Sequence, residues 1–415
     1  MRCGLLGRRL GHSYSPQLHR FFGDDSYSLW EVEPQDLEDF LRKAPFHGLN
    51  VTTPYKRAVA PFCQALSETA RRTGSVNTIL RRPDGTLEGH NTDCAGFRAA
   101  LDRCGVEPAG KKVLVLGSGG AAAAVLEVLR GRGARAVCIS RRGPDHYGNL
   151  DRHQDAGLLV NATPVGMFPQ TDRAPLDLTC LPRLEAVLDL IYNPARTRLL
   201  AQAEELGLAW ENGLAMLAQQ ARRSAELFTG RRIPEAQGEL ARRALSCQME
   251  NWVLLGMPGC GKTTLGRALA AETGRPFVDT DQALEERTGQ SIPALLAARG
   301  EAAFRDLETA LLAEVGRGSG QVIATGGGCV LRPENLPLLR QNGRLLWVRR
   351  PLQLLETRGR PLSQGGDLEA MYRRRRDRYA RFCSLQMQNT DTIAAGVRRA
   401  KEAFLCSFSC SMDLI

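Results

Sequence analysis

The stretch VLLGMPGCGKTTL, residues 253–265, decides the fold of the C-terminal part of this 415-residue chain. An apolar, strand-like run leads into GMPGCGKTT, which fits GxxxxGK[ST], and a helical pattern follows. That context is the one the motif needs, because its glycines let backbone N–H groups turn inward around phosphate oxygens at a helix N-terminus. Gly256, Gly259 and Gly261 supply the turn, with Pro258 and Cys260 between them. Lys262 adds a point charge, Thr263 offers a hydroxyl for magnesium, and Thr264 continues the helix start. No NKxD stretch follows, so guanine specificity is not supported. A loop of this kind normally opens its domain directly after the first strand, so the long stretch before it belongs to something else.

Bulk properties leave room for a second unit. At about 150 residues per domain the chain holds two or three. With 43% hydrophobic and 24% charged residues it has a globular composition. No apolar run approaches the roughly 18 residues that a membrane span requires. The opening MRCGLLGRRLGHS lacks the apolar core of a secretory signal, which leads us to expect a cytoplasmic protein. Twelve cysteines without CxxC spacing read as reduced thiols rather than as a zinc or disulfide framework. All six histidines precede residue 154, which leaves none for the C-terminal part. The net charge of +10 fits an enzyme for small anions or a nucleic-acid binder. Arg373–Arg376 has little aromatic interleaving and reads as a solvated helix face, so neither a nucleic-acid nor a membrane partner is expected.

Short β-branched runs alternate with amphipathic stretches, which predicts α/β architecture with parallel sheets. A second strand–glycine–helix unit is KKVLVLGSGGAAAAVLEVLRGRG, residues 111–133. Its Gly117, Ser118, Gly119, Gly120 and Ala121, with Ala122 in the third slot, have a dinucleotide-type arrangement. After the next apolar strand come Ser140, Arg141 and Arg142, where an acidic residue would suit NAD and arginines favour the 2′-phosphate of NADP. NADP is therefore the expected cofactor. NGLAMLAQQARRSAELFTG (212–230) predicts a helix, RRIPEAQGELARRAL predicts another short one, and the boundary between the two enzymes is expected near residues 246–250.

Beyond the P-loop, FVDTDQALEERTGQSI (277–292), GEAAFRDLETALL (300–312), VIATGGGCVL (322–331) and RGRPL (358–362) follow in turn. With these blocks in that order the C-terminal part resembles shikimate kinase. The resemblance implies that Asp279 lies in the magnesium region with Thr263, and that Asp281 grips a ring hydroxyl of shikimate. Arg305 and Arg375 would clamp the substrate carboxylate, Gly326, Gly327 and Gly328 would line the pocket, and Arg360 on a lid would reach the transferring phosphoryl group. This agrees with the chemistry, since phosphoryl transfer depends on positioning and charge, and guanidinium groups match a carboxylate with paired hydrogen bonds.

Upstream, GHSYSPQLH (11–19), NVTTPYK (50–56), GSVNTI (74–79), GHNTD (89–93), NATPVGM (161–167), DLIYNP (189–194) and NGLAMLAQQ (212–220) resemble the motifs of shikimate dehydrogenase. The resemblance implies a two-lobed dehydrogenase, with a substrate domain at 1–95 completed by helices at about 212–245 and a Rossmann NADP domain at 96–211. The kinase domain would then occupy 249–415. Lys56 and Asp93 would form the proton relay for reduction of 3-dehydroshikimate by NADPH. Ser13, Ser15, Thr52, Asn77, Tyr192 and Gln220 would meet substrate, and Gly213 would adjoin the cofactor. His12, His19 and His90 are read as pocket or helix-end residues. The helix start AAAAV departs from relatives that carry arginine or serine there, and the short spacing before NATPVGM implies a trimmed cofactor domain. Two alternatives stand beside this: a quinate/shikimate dehydrogenase-like first enzyme using NAD, and one half retained only as a binding or regulatory module. The leading expectation is a bifunctional enzyme using NADP, ATP and Mg2+ on small-molecule substrates.

Overall fold

Fully apolar runs such as KVLVL, LLVN and AVLD cannot sit on a half-exposed surface, and they fill the interior strands of a parallel sheet covered on both faces. The computed structural model describes residues 2–11, 13–356 and 367–405. Two compact units result, Met1–Tyr192 with Thr197–Leu245, and Asn193–Arg196 with Ser246–Ile415.

In the first unit, β1 (Cys3–Gly7), β2 (Ser28–Glu31), β3 (Gly48–Val51), β4 (Ala65–Leu66), β5 (Thr78–Arg81) and β6 (Leu87–His90) form a mixed sheet in the order β2-β1-β3-β5-β6-β4. Only β5 runs antiparallel to its neighbours. Helices α1 (Ser15–Phe21), α2 (Leu37–Lys43) and α3 (Glu68–Thr73) belong to this lobe. The second sheet is all parallel: β7 (Lys112–Leu116), β8 (Arg135–Ile139), β9 (Leu158–Asn161), β10 (Ala186–Asp189) and β11 (Ala209–Glu211), ordered β11-β10-β9-β7-β8. The chain order reverses beside β7, so the crevice at the C-terminal ends of β7 and β9 is where a ligand of a doubly wound sheet sits.

Helix α4 (Asp93–Cys104) joins the lobes, and the expected 95/96 boundary falls inside it. Its Phe97 and Leu101 pack with Val125 and Val128 of α5 (Gly120–Gly131) and with Ala215 and Met216 of α7 (Leu214–Thr229). Between β8 and β9 there is no α-helix, only a 3-10 run at Tyr147–His153, which is the structural form of the trimmed connection. Helix α6 (Arg198–Glu205) follows β10, and α8 (Glu235–Met249) is longer than the short helix predicted there.

In the second unit β12 (Asn251–Leu255), β13 (Phe277–Asp279), β14 (Val322–Ala324), β15 (Gly343–Arg349) and β16 (Leu385–Gln388) form a parallel sheet ordered β13-β14-β12-β15-β16. Its helices are α9 (Lys262–Thr273), α10 (Thr280–Thr288), α11 (Ile292–Arg317, broken at Gly300), α12 (Asn335–Arg340), α13 (Leu368–Phe382) and α14 (Ile393–Leu405). The core gathers Val253, Leu254, Leu346, Tyr379 and Phe404, all but sealed from solvent. The turn after β12 therefore opens at the centre of the sheet, again at a reversal of strand order.

Candidate active sites

In the first unit Lys56 leaves the turn after β3, and Asp93 is the first residue of α4. Lys56 Nζ donates to Asp93 Oδ2 at 2.5 Å, with the carboxylate 5% exposed and the lysine side chain 19%. Asn77 fixes the pair: its amide nitrogen donates to Asp93 Oδ1 at 2.9 Å and Thr92 Oγ1 at 3.0 Å, while its oxygen accepts from Thr92 N at 2.7 Å. Behind it lies a buried polar layer of Asn50, Thr78, Thr92 and Ser224, in which Asn50 donates to Ser224 Oγ at 2.8 Å and accepts from Tyr27 OH at 2.7 Å. A buried amide with every position satisfied has one orientation, and so Asp93 has one orientation too.

The dinucleotide turn faces this pair. A Cβ at Gly120 would lie 2.8 Å from Ser75 Oγ and 3.2 Å from Lys56 Cβ, so only glycine lets the α5 N-terminus approach Lys56. Arg57 donates to the Ser118 carbonyl at 3.1 Å across the same cleft. Gly117 has φ 104, a conformation that side chains rarely adopt, and a Cβ there would meet Ala162 O and Thr163 Cγ2 at 3.1 Å. The backbone N–H groups that open α5 are thus left for an anion. Gly119 and Ala121 sit at this helix start, whereas Arg141 and Arg142 stand exposed beyond β8 with Ser140 half-buried beside them.

Ser13 and Ser15 lie together at the start of α1, Ser15 N donating to Ser13 Oγ at 3.2 Å. Thr52 follows β3, and Gln220 on α7 donates to Leu217 O at 3.1 Å. Tyr192 packs edge-on against Tyr14 at 6.1 Å, and burial first, then Tyr14, pushes its phenol up, which keeps it a neutral donor. A Cβ at Gly213 would be 2.0 Å from Leu190 O, so this glycine is required by backbone packing. His19 stands in the last turn of α1, the helix-end place expected for it, 1% exposed and stacked on Tyr27 at 4.0 Å; His90 lies in β6 near Glu88, not at a helix end. His12 lies outside the described residues.

In the second unit a cavity of about 480 Å³ is lined from both ends, by the P-loop and Asp279 on one side and by Asp281, Arg305 and Arg375 on the other. Gly261, with φ 94, caps α9 and lets the loop close over Lys262. Lys262 is 7% exposed and donates to the Gly256 and Met257 carbonyls at 2.9 and 3.0 Å. Thr263 Oγ1 donates to Asp279 Oδ2 at 2.7 Å, and Asp279 also caps α10 by accepting from Asp281 N at 3.0 Å. Thr264 lines the cavity with Pro258 and Gly259, and Cys260 is buried beneath. Two hard oxygen ligands at the mouth of a phosphate loop suit magnesium, which keeps waters and phosphate oxygens as its other ligands.

The arginines sit on the far wall. Arg305 donates to Glu308 Oε2 at 2.7 Å and Glu301 Oε1 at 3.2 Å, and a Cβ on Gly328 would come within 2.1 Å of its guanidinium. Arg375 is 2% exposed and donates to Gly327 O at 3.1 Å, a carbonyl that also accepts from Tyr379 OH. Gly326 lies between Asp281 and Glu308, where a Cβ would be 2.6 and 2.8 Å from their oxygens. Arg360 lies outside the described residues. Glu308 was missed in the sequence, although its spacing of three from Arg305 on one helix was the available signal. Burial pushes its carboxyl above the usual range while Arg305 pulls the other way; with a 2.7 Å contact to a guanidinium we take it as ionised. Asn389 was also missed: it donates to Cys260 O at 2.8 Å and braces the P-loop from 129 residues away, which no local pattern reveals.

Fold and geometry define a dinucleotide-dependent oxidoreductase unit and a P-loop phosphotransferase unit in one chain. Comparison with known proteins agrees. Residues 5–79 match the shikimate dehydrogenase substrate binding domain, and residues 258–403 match shikimate kinase. A shikimate dehydrogenase (NADP(+)) of Oleidesulfovibrio alaskensis is 40% identical over 258 residues, 56% of this chain and 91% of that protein. The shikimate 5-dehydrogenase of Thermus thermophilus, solved in complex with NADP(H) and shikimate, aligns with 35% identity and a TM-score of 0.54, covering 59% of this chain and 99% of that one. A chorismate mutase/shikimate 5-dehydrogenase fusion protein from Clostridium acetobutylicum aligns with 34% identity and a TM-score of 0.55, covering 59% and 96%. The chain belongs to the shikimate dehydrogenase family through its N-terminal unit, and it carries a shikimate kinase domain after it: it is a bifunctional shikimate-pathway enzyme.

Proposed function

We propose that the first unit interconverts 3-dehydroshikimate and shikimate with NADP(H), and that the second phosphorylates shikimate with ATP and Mg2+ to shikimate 3-phosphate. The observation that carries this is the Lys56–Asp93 pair pressed against the dinucleotide turn, in the same chain as a P-loop cavity walled by two buried arginines.

NADPH, when bound, supplies the hydride. Lys56 gives a proton to the nascent alkoxide, and Asp93, held by Asn77, keeps the ammonium aimed. Ser13 and Ser15 take the substrate carboxylate, while Thr52, Asn77, Tyr192 and Gln220 meet its remaining polar groups. Arg141 and Arg142, exposed beyond β8, favour the 2′-phosphate of NADP. In the second unit the P-loop N–H groups and Lys262 hold the phosphates, and Thr263 with Asp279 would hold Mg2+, which would neutralise charge between phosphates. Asp281 orients the attacking hydroxyl, Arg305 and Arg375 clamp the carboxylate, and Arg360 neutralises the phosphoryl group. No described helix is long and apolar enough to cross a membrane, and we infer a cytoplasmic enzyme from its soluble substrates.

The test is a one-pot assay with 3-dehydroshikimate, NADPH and MgATP. Stoichiometric NADPH oxidation followed by shikimate 3-phosphate supports the assignment. Quinate oxidation with NAD preferred over shikimate with NADP would refute the first half, and the absence of phosphorylated product would refute the second.

A further inference from the structure

Asp189, at the C-terminal end of β10, is 1% exposed and touches neither described site, yet three donors converge on it. Asn161 Nδ2 and Ile191 N reach Oδ1 at 3.0 and 3.1 Å, and Thr197 Oγ1 reaches Oδ2 at 2.7 Å. One donor stands at the end of the neighbouring strand, and two belong to the connection that leads from β10 to α6. Asn161 ends β9, and its own oxygen accepts from Thr163 N at 3.0 Å and Thr163 Oγ1 at 2.7 Å. Thr163 is the residue that lies against Gly117 of the dinucleotide turn. Ile191 precedes Tyr192, and its carbonyl accepts from Gly213 N at 3.0 Å, at the start of α7. Thr197 caps α6, its hydroxyl accepting from Leu200 N.

From this arrangement we propose that Asp189 is a positioning residue of the dehydrogenase, a buried acceptor that sets the Asn161–Thr163 turn against the dinucleotide loop. Its chemistry suits the task. All three partners donate, and the ionised carboxylate, with no N–H or O–H of its own, accepts from all three. Burial raises the Asp189 carboxyl to about 7, while the Thr197, Ile191 and Asn161 contacts pull it down. Asparagine in its place keeps the volume but turns an N–H toward Thr197 Oγ1, whose hydroxyl must then accept rather than donate while Leu200 N already donates to it. The dinucleotide turn, held through Asn161 and Thr163, then loses its fixed backstop, whereas Ser13, Ser15, Lys56 and Asp93 on the other lobe do not.

The proposal rests on the NADP(H) dehydrogenase assignment, and the test separates the two. In the full-length chain, wild type and Asp189→Asn are compared for NADP+ affinity by calorimetry, for the kcat and KM of shikimate oxidation, and for phosphorylation rate. Loss of a charged buried hydrogen-bond acceptor predicts a Kd for NADP+ weaker by about tenfold and a comparable fall in kcat. The KM for shikimate should change less than about twofold, and phosphorylation should not change. Equal losses in the NADP+ and shikimate terms, or no change in either, would overturn the positioning role. A wild-type chain that binds no NADP+ would instead sink the assignment beneath it. If Asp189→Asn does not fold, Thr197→Val is measured against Thr197→Ser. Weaker NADP+ binding in the valine variant alone supports the proposal, and equal behaviour of the two refutes it.

Discussion

The two sites hold charge in different ways. In the dehydrogenase unit the groups proposed to react are side chains locked by other side chains: Lys56 on Asp93, Asp93 on Asn77, Asn77 on Thr92. In the kinase unit much of the work falls to backbone, with Lys262 resting on two P-loop carbonyls and Arg375 on the carbonyl of Gly327. The difference follows the chemistry. A proton relay needs titratable groups aimed at one atom, so it is set in a satisfied buried network. Phosphoryl transfer needs a cradle of N–H groups and cations around spread charge, which a glycine-rich turn at a helix N-terminus supplies.

If the two designs are independent, single substitutions should silence one and spare the other. Lys56→Ala should lower shikimate oxidation by about 10²–10⁴-fold, the range for losing a general acid–base group, with phosphorylation unchanged. Lys262→Ala should lower phosphorylation by about 10²–10³-fold, the loss expected on removing one electrostatic stabiliser, with oxidation unchanged. Initial rates of both reactions on each variant decide this, and joint loss would break the distinction. Gly328→Ala is milder: a methyl group 2.1 Å from the Arg305 guanidinium must push it aside, raising the KM for shikimate in phosphorylation about tenfold. An unchanged KM would show that Arg305 is not the clamp.

The smallest effect concerns the dehydrogenase core. Burial holds the His19 imidazole down at about 4 from an ordinary 6.5, with Asp24 opposing. Between those values the unfolded chain takes up a proton that the folded one refuses. Stability is therefore full above pH 6.5 and is lost as pH falls toward 4, by at most about 3 kcal/mol. The urea midpoint of the first unit should show this slope in wild type and a flatter one in His19→Phe. Equal slopes would assign the effect to other groups.

The sequence made the glycine turns legible because their spacing is local: residues 256–263 and 117–122 each lie within one strand-to-helix junction. Lys56 and Asp93, 37 positions apart, were paired only through the resemblance of their blocks to shikimate dehydrogenase. Apart from Glu308, three residues from Arg305, what escaped notice depends on contacts distant in sequence. Asn389 reaches the P-loop across 129 positions, and Ser224 joins Asn50 across 174. Asp189 lies within DLIYNP, a motif visible from the start, yet its contact with Asn161, 28 positions away on the neighbouring strand, is created only by the folded sheet. His19 was read as a pocket or helix-end residue, and it does end α1, but its stacking on Tyr27 could not be foreseen from sequence.

The central claim is that one chain holds two separate cradles for the same ring acid, and the stoichiometry of shikimate binding tests it most directly. Calorimetry of the full-length protein in the presence of NADP+ and a non-hydrolysable ATP analogue should give two shikimate molecules per chain. One should remain in a chain carrying both Arg305→Ala and Arg375→Ala. A wild-type stoichiometry of one, or loss of both sites in that double variant, would contradict it.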